Sequence, residues 1–220
     1  MTYEHEREEF GYVRPAKIIS APFPALDPNH QVSMDDYLEK RGLNYLLARA
    51  NGWYPSTSAG DIEPRIVIPA LSLIEGHNFW QARAMVYRGE DVKRYQSPYG
   101  SRMDALIFVA PRSLHTIKLG GWHKAIIVEG PMDALAAAGE GYLGIALMGN
   151  TPSEAVLEHL VRVVQHRPTI ILADSDAVAE AALLAGKLAA AGAYTILKPC
   201  RGWKDLADVP KSMRAVLLEQ

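Results

Sequence analysis

Two short apolar runs, each followed at once by acidic residues and an alanine-rich segment, most constrain how this chain folds. The first run ends at Val128 and the second spans Thr169–Ala173. Unbroken apolar runs of this length are typical of parallel strands that are buried on both faces. The chain is therefore predicted to have an α/β fold with an open parallel sheet, which binds ligands in the crevice beyond the carboxyl ends of its strands.

Acidic side chains stand where these predicted strands end. Glu129 follows the first run, and Asp174 and Asp176 follow the second. Because the carboxyl ends of parallel strands meet at one edge of a sheet, the three carboxylates are expected to lie close together and to repel one another. Carboxylate oxygens are the ligands that Mg²⁺ prefers, so the sequence predicts a site for Mg²⁺ (or Mn²⁺) at this edge.

The acidic residues also follow a known family pattern. A Glu-Gly pair, an acid one helical turn later, an Asp-x-Asp and downstream aspartates occur here as Glu129-Gly130, Asp133, Asp174 with Asp176, and Asp205 with Asp208. Residues 122–210 thus resemble the Toprim domain of bacterial-type primases, topoisomerases and small nucleases. The resemblance implies a Toprim-type open parallel sheet flanked by helices. It also implies catalysis by Glu129, Asp174 and Asp176, and metal binding by these three with Asp133, Asp205 and Asp208.

The segment 65–110 is similar to the one that precedes Toprim in bacterial and phage primases. The matching positions, in order, are Ile68-Pro69, Gly76, Arg83, Lys93 or Arg94 with Tyr95, and Ser97-Pro98. Toprim nucleases and topoisomerases lack this leader, so the combined pattern favours a primase. The resemblance implies a smaller α+β primase-core subdomain in residues 1–120 and a Toprim catalytic domain in residues 121–220.

The net charge of −2 is unevenly distributed. Residues 1–77 contain 7 basic and 11 acidic side chains, residues 78–124 contain 8 and 3, and residues 125–220 contain 8 and 11. A basic stretch interleaved with aromatic residues suits a groove that binds phosphates and stacks unpaired bases. An antiparallel sheet with one solvated face gives the same alternation. Nucleic-acid or nucleotide binding is predicted for Arg83, Lys93, Arg94, Tyr95, Arg102 and Lys204.

Composition excludes several classes of protein. No run approaches the roughly 18 apolar residues of a membrane helix, and the acidic start is no signal peptide, so a cytoplasmic protein without a membrane partner is expected. The single cysteine, Cys200, excludes an internal disulfide and a cysteine-rich zinc site. The chain is expected to lack the zinc module and the helicase motor of larger primases, as a phage version would.

Local signals predict where the elements begin and end. A helix from Ser33 to Gly52 is interpreted as scaffold, and antiparallel strands with turns at Glu75-Gly76 and Gly89-Glu90 are predicted within 65–110. A capping box from Thr151 to Glu154 is predicted to begin a helix. The remaining predictions are strands near 125–129, 143–148, 169–173 and 193–197, and helices at 131–139, 152–166, 177–191 and 210–219.

The resemblance implies a DNA primase catalytic core, which makes short RNA primers on a single-stranded DNA template from ribonucleoside triphosphates by metal-dependent nucleotidyl transfer. A replicative helicase or a separate zinc-module protein is the expected partner. A Toprim metal-dependent nuclease with the same acids is one alternative. A catalytically weak, primase-derived nucleic-acid-binding accessory protein is the other, since a zinc module is not expected and the turn after Asp176 has Val178 and no glycine. Whether Glu129 is a metal ligand or a general base stays open.

Overall fold

The computed structural model describes residues 22–59, 63–72, 79–86, 92–99, 101, 106–109, 124–149, 152–200 and 202–219. The helices in these ranges are α1 (Gln31–Lys40), α2 (Tyr45–Ala50), α3 (Pro131–Gly139), α4 (Glu154–Val164), α5 (Val178–Ala190) and α6 (Lys211–Glu219). The strands are β1 (Tyr54–Ser56), β2 (Arg65–Ser72), β3 (Phe79–Ala84), β4 (Tyr95–Gln96), β5 (Leu106–Val109), β6 (Ala125–Val128), β7 (Leu143–Ala146), β8 (Thr169–Ala173) and β9 (Thr195–Pro199). Short 3₁₀ helices lie at Pro28–His30 and Leu206–Asp208.

Strands β7, β6, β8 and β9 lie parallel in that order and form the parallel half of the sheet. Every residue of β6, β7 and β8 is buried, as the unbroken apolar runs predicted for β6 and β8. Ile126 and Val128 belong to the core cluster that contains α3, whereas Ile127 packs in the cluster that contains α4 and α5. The predicted α/β fold with helices on both faces of a parallel sheet is therefore confirmed.

Helix α3 packs unusually close to strand β7. A Cβ atom added to Gly144 would lie 2.0 Å from the carbonyl oxygen of Ala134, so only glycine fits at this point of the strand. The facing helix is also rich in small residues, since Ala134, Ala136 and Ala137 are buried. Small side chains on both elements set the depth at which α3, and with it Asp133, lies against the sheet.

Strands β1 to β4 form the antiparallel half. Strand β2 pairs with β1 and β3, and β3 pairs with β4 through the register Arg83↔Tyr95. Strand β5 is antiparallel both to the end of β2 and to β7, so it joins the two halves into one sheet. Among the described ranges, none of the helices is both long and apolar enough to cross a membrane.

The prediction of one helix from Ser33 to Gly52 was wrong, because the chain forms two helices there. Helix α1 already begins at Gln31, and α2 begins after Asn44, whose side chain accepts a hydrogen bond from the Leu47 amide at 3.0 Å. Between them Gly42 has φ +64°, a left-handed conformation that ends a helix and that glycine adopts at little cost. The leucine spacing continues across this turn, which is why it suggested a single helix.

The predicted cap at Thr151 was also misplaced. Helix α4 begins at Glu154, and the side chain of Ser153 accepts a hydrogen bond from the Val156 amide at 3.4 Å. Pro152 therefore precedes the helix instead of occupying its first position. The predicted turns at Glu75-Gly76 and Gly89-Glu90, and the predicted domain boundary at 120/121, lie outside the described residues.

Candidate functional site

A cavity of about 240 Å³ lies beyond the carboxyl ends of β6 and β8. The parallel half contributes all six of its carboxylates, and both halves contribute basic groups. The acidic residues that line it are Glu129, Asp133, Asp174, Asp176, Glu180 and Asp205. The other polar side chains that line it are Arg41, Arg83, Arg94, Tyr95 and Lys204.

The topology of the parallel half explains why the acids meet. Glu129 directly follows β6, Asp174 directly follows β8, and Asp133 lies in the first turn of α3, which begins just after β6. Asp205 comes from the segment after β9, where its side chain accepts a hydrogen bond from the Asp208 amide at 2.9 Å and caps the 3₁₀ helix. Neighbouring parallel strands thus deliver these carboxylates to one crevice, as the sequence predicted.

Asp133 is the most deeply buried of these acids, with 6% of its surface exposed. Its Oδ1 accepts a hydrogen bond from the Ala207 amide at 2.8 Å, which ties α3 to the segment after β9. Burial and the nearby charges of Asp205 and Asp174 raise the pKa of Asp133 well above its usual range, although the Ala207 bond and Arg83 oppose the rise. The carboxylate is therefore a structural anchor whose ionisation is opposed by its surroundings.

Mutual repulsion also affects the acids nearer the solvent. Burial, followed by the charges of Glu129, Asp205 and Asp176, raises the pKa of Asp174 to about 7. Burial and the charge of Asp176 likewise raise the pKa of Glu129, and Lys204 partly offsets both shifts. A cation placed among these carboxylates would relieve the repulsion that raises their pKa values.

The donor set suits a hard divalent cation, because it consists of carboxylate oxygens that line one cavity and repel one another, a repulsion that Lys204 offsets only in part. Among the described residues, however, no three acidic, histidine or cysteine side chains stand close enough together to hold a metal ion in their present conformations. The site therefore matches such a cation in charge and atom type, and the carboxylates would have to rotate to bind it. Glu129, Asp174 and Asp176 are the residues placed to do so, with Asp133 and Asp205 beside them.

Arg83 lies under the cavity in a buried network and is only 7% exposed. Its Nε donates to the hydroxyl of Tyr37 at 2.7 Å, and its Nη1 donates to the hydroxyl of Tyr95 at 2.6 Å. Burial raises the pKa of Tyr95 to about 12 even though the charge of Arg83 opposes that rise. The predicted phosphate-binding residue Arg83 thus lines the cavity, but two of its N–H groups donate hydrogen bonds to tyrosines inside the protein.

The other predicted binding residues separate into three groups. Arg94, Tyr95 and Lys204 line the cavity. Lys93 is exposed and outside the cavity lining, although its backbone carbonyl accepts a hydrogen bond from Arg65 Nη1 at 2.9 Å. Arg102 lies outside the described residues. The predicted metal ligand Asp208 does not line the cavity and instead pairs with Arg41 at 3.0 Å.

Sequence reasoning missed two residues of the cavity. Arg41, which follows α1, was assigned to scaffold, yet it lines the cavity beside the acids. The signal was the Arg-Gly step itself, because Gly42 with its positive φ ends the helix and presents Arg41 at a turn. Glu180 lines the cavity from the first turn of α5, and the available sign was its position just after the Asp-x-Asp, at the start of the predicted helix.

No protein-family model and no curated protein matches the sequence. Among solved structures, the RNA polymerase domain of Mycobacterium tuberculosis primase DnaG in complex with a double-stranded DNA oligomer with a 6-nucleotide overhang matches with TM-score 0.60 and 18% identity, over 84% of this chain and 71% of that one. The Aquifex aeolicus primase, with zinc binding and RNA polymerase domains, matches with TM-score 0.60 and 20% identity, over 85% and 54%. The DnaG primase catalytic domain bound to ssDNA matches with TM-score 0.58 and 14% identity, over 88% and 73%.

These matches cover both halves of the sheet, since each extends over more than four fifths of this chain. The mixed α/β fold, with a four-stranded parallel half and an antiparallel half, is therefore the fold of primase catalytic cores.

Proposed function

We propose that this chain is the catalytic core of a DNA primase, which makes short RNA primers on single-stranded DNA by metal-dependent nucleotidyl transfer. One observation carries the proposal: a single cavity joins the carboxylates at the ends of parallel strands to Arg41, Arg94 and Lys204. Phosphoryl-type transfers depend on positioning and charge stabilisation, which need carboxylates for metal ions and cations for phosphates. The assignment of the parallel half as a Toprim domain is part of this proposal.

The acids are proposed to bind Mg²⁺ or Mn²⁺. When bound, the metal supplies positive charge that neutralises the incoming triphosphate and the charge that develops on it during transfer. Glu129, Asp174 and Asp176 would hold it, while the Ala207 bond fixes Asp133 at the base of the cavity. The raised pKa values of Asp174 and Glu129 fit this role, since a site prepared for a cation repels itself without one.

Glu129 is also suited to accept the proton of an attacking 3′-hydroxyl. Burial and Asp176 raise its pKa, and a carboxylate with a raised pKa is a stronger base than one in water. Lys204, which opposes that rise, lies near enough to Glu129 to limit how much proton affinity the carboxylate gains. The ligand role and the base role of Glu129 compete for the same oxygens.

The basic groups are proposed to bind the phosphates of nucleotide and template. Arg41 and Arg94 offer planar guanidinium donors, which match phosphate oxygens two at a time, and Lys204 offers a point charge. Arg83 is proposed to attract the phosphates by its charge without binding them directly, since its bonds to Tyr37 and Tyr95 fix it in place.

The direct test is extension of an RNA end annealed to single-stranded DNA, with labelled ribonucleotides and Mg²⁺ or Mn²⁺. We expect added ribonucleotides with the wild-type chain and none with Asp174→Asn. Failure to extend the end with either metal would contradict the proposal. Scission of the template under the same conditions would instead identify a nuclease that uses the same acids.

Initiation without a supplied end is expected to be weak and poorly sequence-specific. The proposed reason is that a helicase or a separate zinc-module protein shares template recognition with the core. Adding a partner helicase should therefore increase the number of primers but leave the extension rate of a supplied end unchanged. Robust, sequence-specific initiation by this chain alone would contradict the dependence on a partner.

A further inference from the structure

Helix α6 contains a buried arginine, Arg214, whose hydrogen bonds all go to segments beside the candidate site. Only 2% of its surface is exposed. Its Nε donates to the Val209 carbonyl at 2.9 Å, and its Nη1 donates to the Gly42 carbonyl at 2.7 Å. Its Nη2 donates to the carbonyls of Arg41 at 2.9 Å and Ala207 at 3.0 Å.

These bonds connect two parts of the cavity that lie far apart in the sequence. One part is the turn after α1, where Arg41 supplies a guanidinium to the cavity. The other is the segment after β9, where Asp205 lines the cavity and the Ala207 amide donates to Asp133. One guanidinium therefore links the backbone of a basic residue to the backbone that supports two acids, beside the Arg41–Asp208 ion pair at 3.0 Å, which joins the same segments through side chains.

The chemistry of arginine suits this task. Its fork presents five N–H donors in one plane, which lets it bind several carbonyls in fixed directions, whereas a lysine ammonium offers three donors from one point. Burying the charge is costly, and burial lowers the pKa of Arg214 although Glu140 and Asp133 oppose this. The four carbonyls provide compensation, so the guanidinium is held by the segments that it joins.

We propose that Arg214 is a positioning residue that sets the spacing between Arg41 and the acids Asp133 and Asp205, and thereby the affinity of the cavity for the polyphosphate of a nucleotide. The inference rests on the proposed function for its kinetic consequence only. Its structural consequence, a fixed segment after β9, is independent of any activity.

The test compares Arg214→Met and Arg214→Lys with a matched control, Lys198→Met. Lys198 Nζ donates to the Leu218 carbonyl at 3.1 Å, so it also ties α6 to the sheet, but this bond involves neither segment that Arg214 joins. In extension of a supplied RNA end, we expect Arg214→Met to raise KM for the ribonucleotide by about tenfold. A change of this size corresponds to the loss of one charged contact, here the one between Arg41 and the polyphosphate. The value of kcat should change less, because a phosphate contact made equally in the ground and transition states affects KM.

Arg214→Lys should give an intermediate KM, and Lys198→Met should leave KM at the wild-type value. A general loosening of α6 would instead affect Lys198→Met as well. An active Arg214→Met enzyme with the wild-type KM would overturn the proposal. If Arg214→Met does not fold, Arg214→Lys serves instead: a raised KM supports the proposal, and a wild-type KM overturns it.

Amide hydrogen exchange provides a second measurement that needs no activity. Loss of the bond to the Ala207 carbonyl should speed exchange of the Ala207 amide by about tenfold or more, while amides of Ile170 and Ile171 in β8 stay protected. Lys198→Met should leave Ala207 protected. If the wild-type chain extends no primer, the proposed function fails and this exchange alone decides the role of Arg214: unchanged protection of Ala207 in both Arg214 variants would overturn it.

Discussion

The parallel and antiparallel halves of the sheet place their charged residues by different rules. In the parallel half, Glu129 and Asp174 stand directly after strands, so the strand order alone brings them to one crevice. In the antiparallel half, three basic residues that are close in sequence or register differ, since Arg83 lines the cavity but is buried, Arg94 lines it from an exposed position and Lys93 lies outside it. The location of a residue at a parallel strand end is fixed by topology. In the antiparallel half it depends on the strand face for Arg83, and on the path of the segment before β4 for Lys93 and Arg94.

The largest expected effect concerns catalysis in the parallel half. Asp174→Asn should lower extension of a supplied RNA end by about a thousandfold or more, because a metal site supplies several kcal/mol of transition-state stabilisation. The metal-free variant should melt at or above the wild-type temperature, since it lacks one charge of a repelling cluster. Activity assays and thermal denaturation in EDTA measure the two effects.

The control for this prediction is Asp35→Asn, which removes an acid that pairs with Arg49 away from the cavity. It should leave extension unchanged. If metal-free Asp174→Asn melts well below the wild type, the carboxylate is structural and the contrast between the halves disappears.

The next effect concerns the close packing of α3, which carries Asp133, on strand β7. Gly144→Ala should destabilise the protein by about 1–3 kcal/mol, because the new methyl overlaps the Ala134 carbonyl. The loss should appear as a melting temperature lower by several degrees. Gly186→Ala is the matched control, since its added Cβ meets no atom within 4 Å beyond its own helix, and it should be neutral or slightly stabilising. Equal melting temperatures for the two variants would contradict the close packing of α3 on β7.

A smaller effect is the dependence of stability on pH. The folded-state pKa of Asp174 is about 7, above its ordinary value of 3.8, so the folded protein resists losing this proton. The stabilisation is present below pH 4 and is lost as the pH rises through 7, because the unfolded chain ionises first. In EDTA, the wild-type melting temperature should fall by a few degrees between pH 4 and pH 8, and the fall should be shallower for Asp174→Asn.

Added Mg²⁺ should reverse the fall at pH 8 in the wild type and have less effect on Asp174→Asn. Identical pH profiles for the two proteins would show that the cluster does not titrate as its environment indicates. In the antiparallel half, the corresponding titratable residue is Tyr95. Because its pKa is raised to about 12, its ionisation should affect stability only in strongly alkaline solution.

The smallest effect separates neighbours in the antiparallel half. Arg94→Ala should weaken binding to single-stranded DNA and reduce the slope of log affinity against log salt by about 0.7, the loss of one phosphate contact. Lys93→Ala should change this slope less, because Lys93 lies outside the cavity. Equal changes would mean that the exposed surface, not the cavity, follows the template. Fluorescence anisotropy over a salt series measures both variants.

The sequence predicted the parallel half well because its signals are local. Apolar runs ending at Val128 and Ala173 identify buried strands, and the acids after them identify the crevice. The turn at Gly42 was missed because leucines keep helical spacing on both sides of it. The burial of Arg83 could not be predicted either, since it depends on the cross-strand partner Tyr95 and on Tyr37 from α1, which only the assembled fold brings together.

Strand β5 has a consequence for any attempt to study the acidic half alone. It pairs with Ile145 and Ala146 of β7, and both of these residues are fully buried. A fragment covering residues 121–220 would leave that apolar edge with unpaired amide and carbonyl groups, which readily recruit other chains. Expression of such a fragment is therefore expected to yield aggregates, so the parallel half, with its acids, depends on the antiparallel half for remaining in solution.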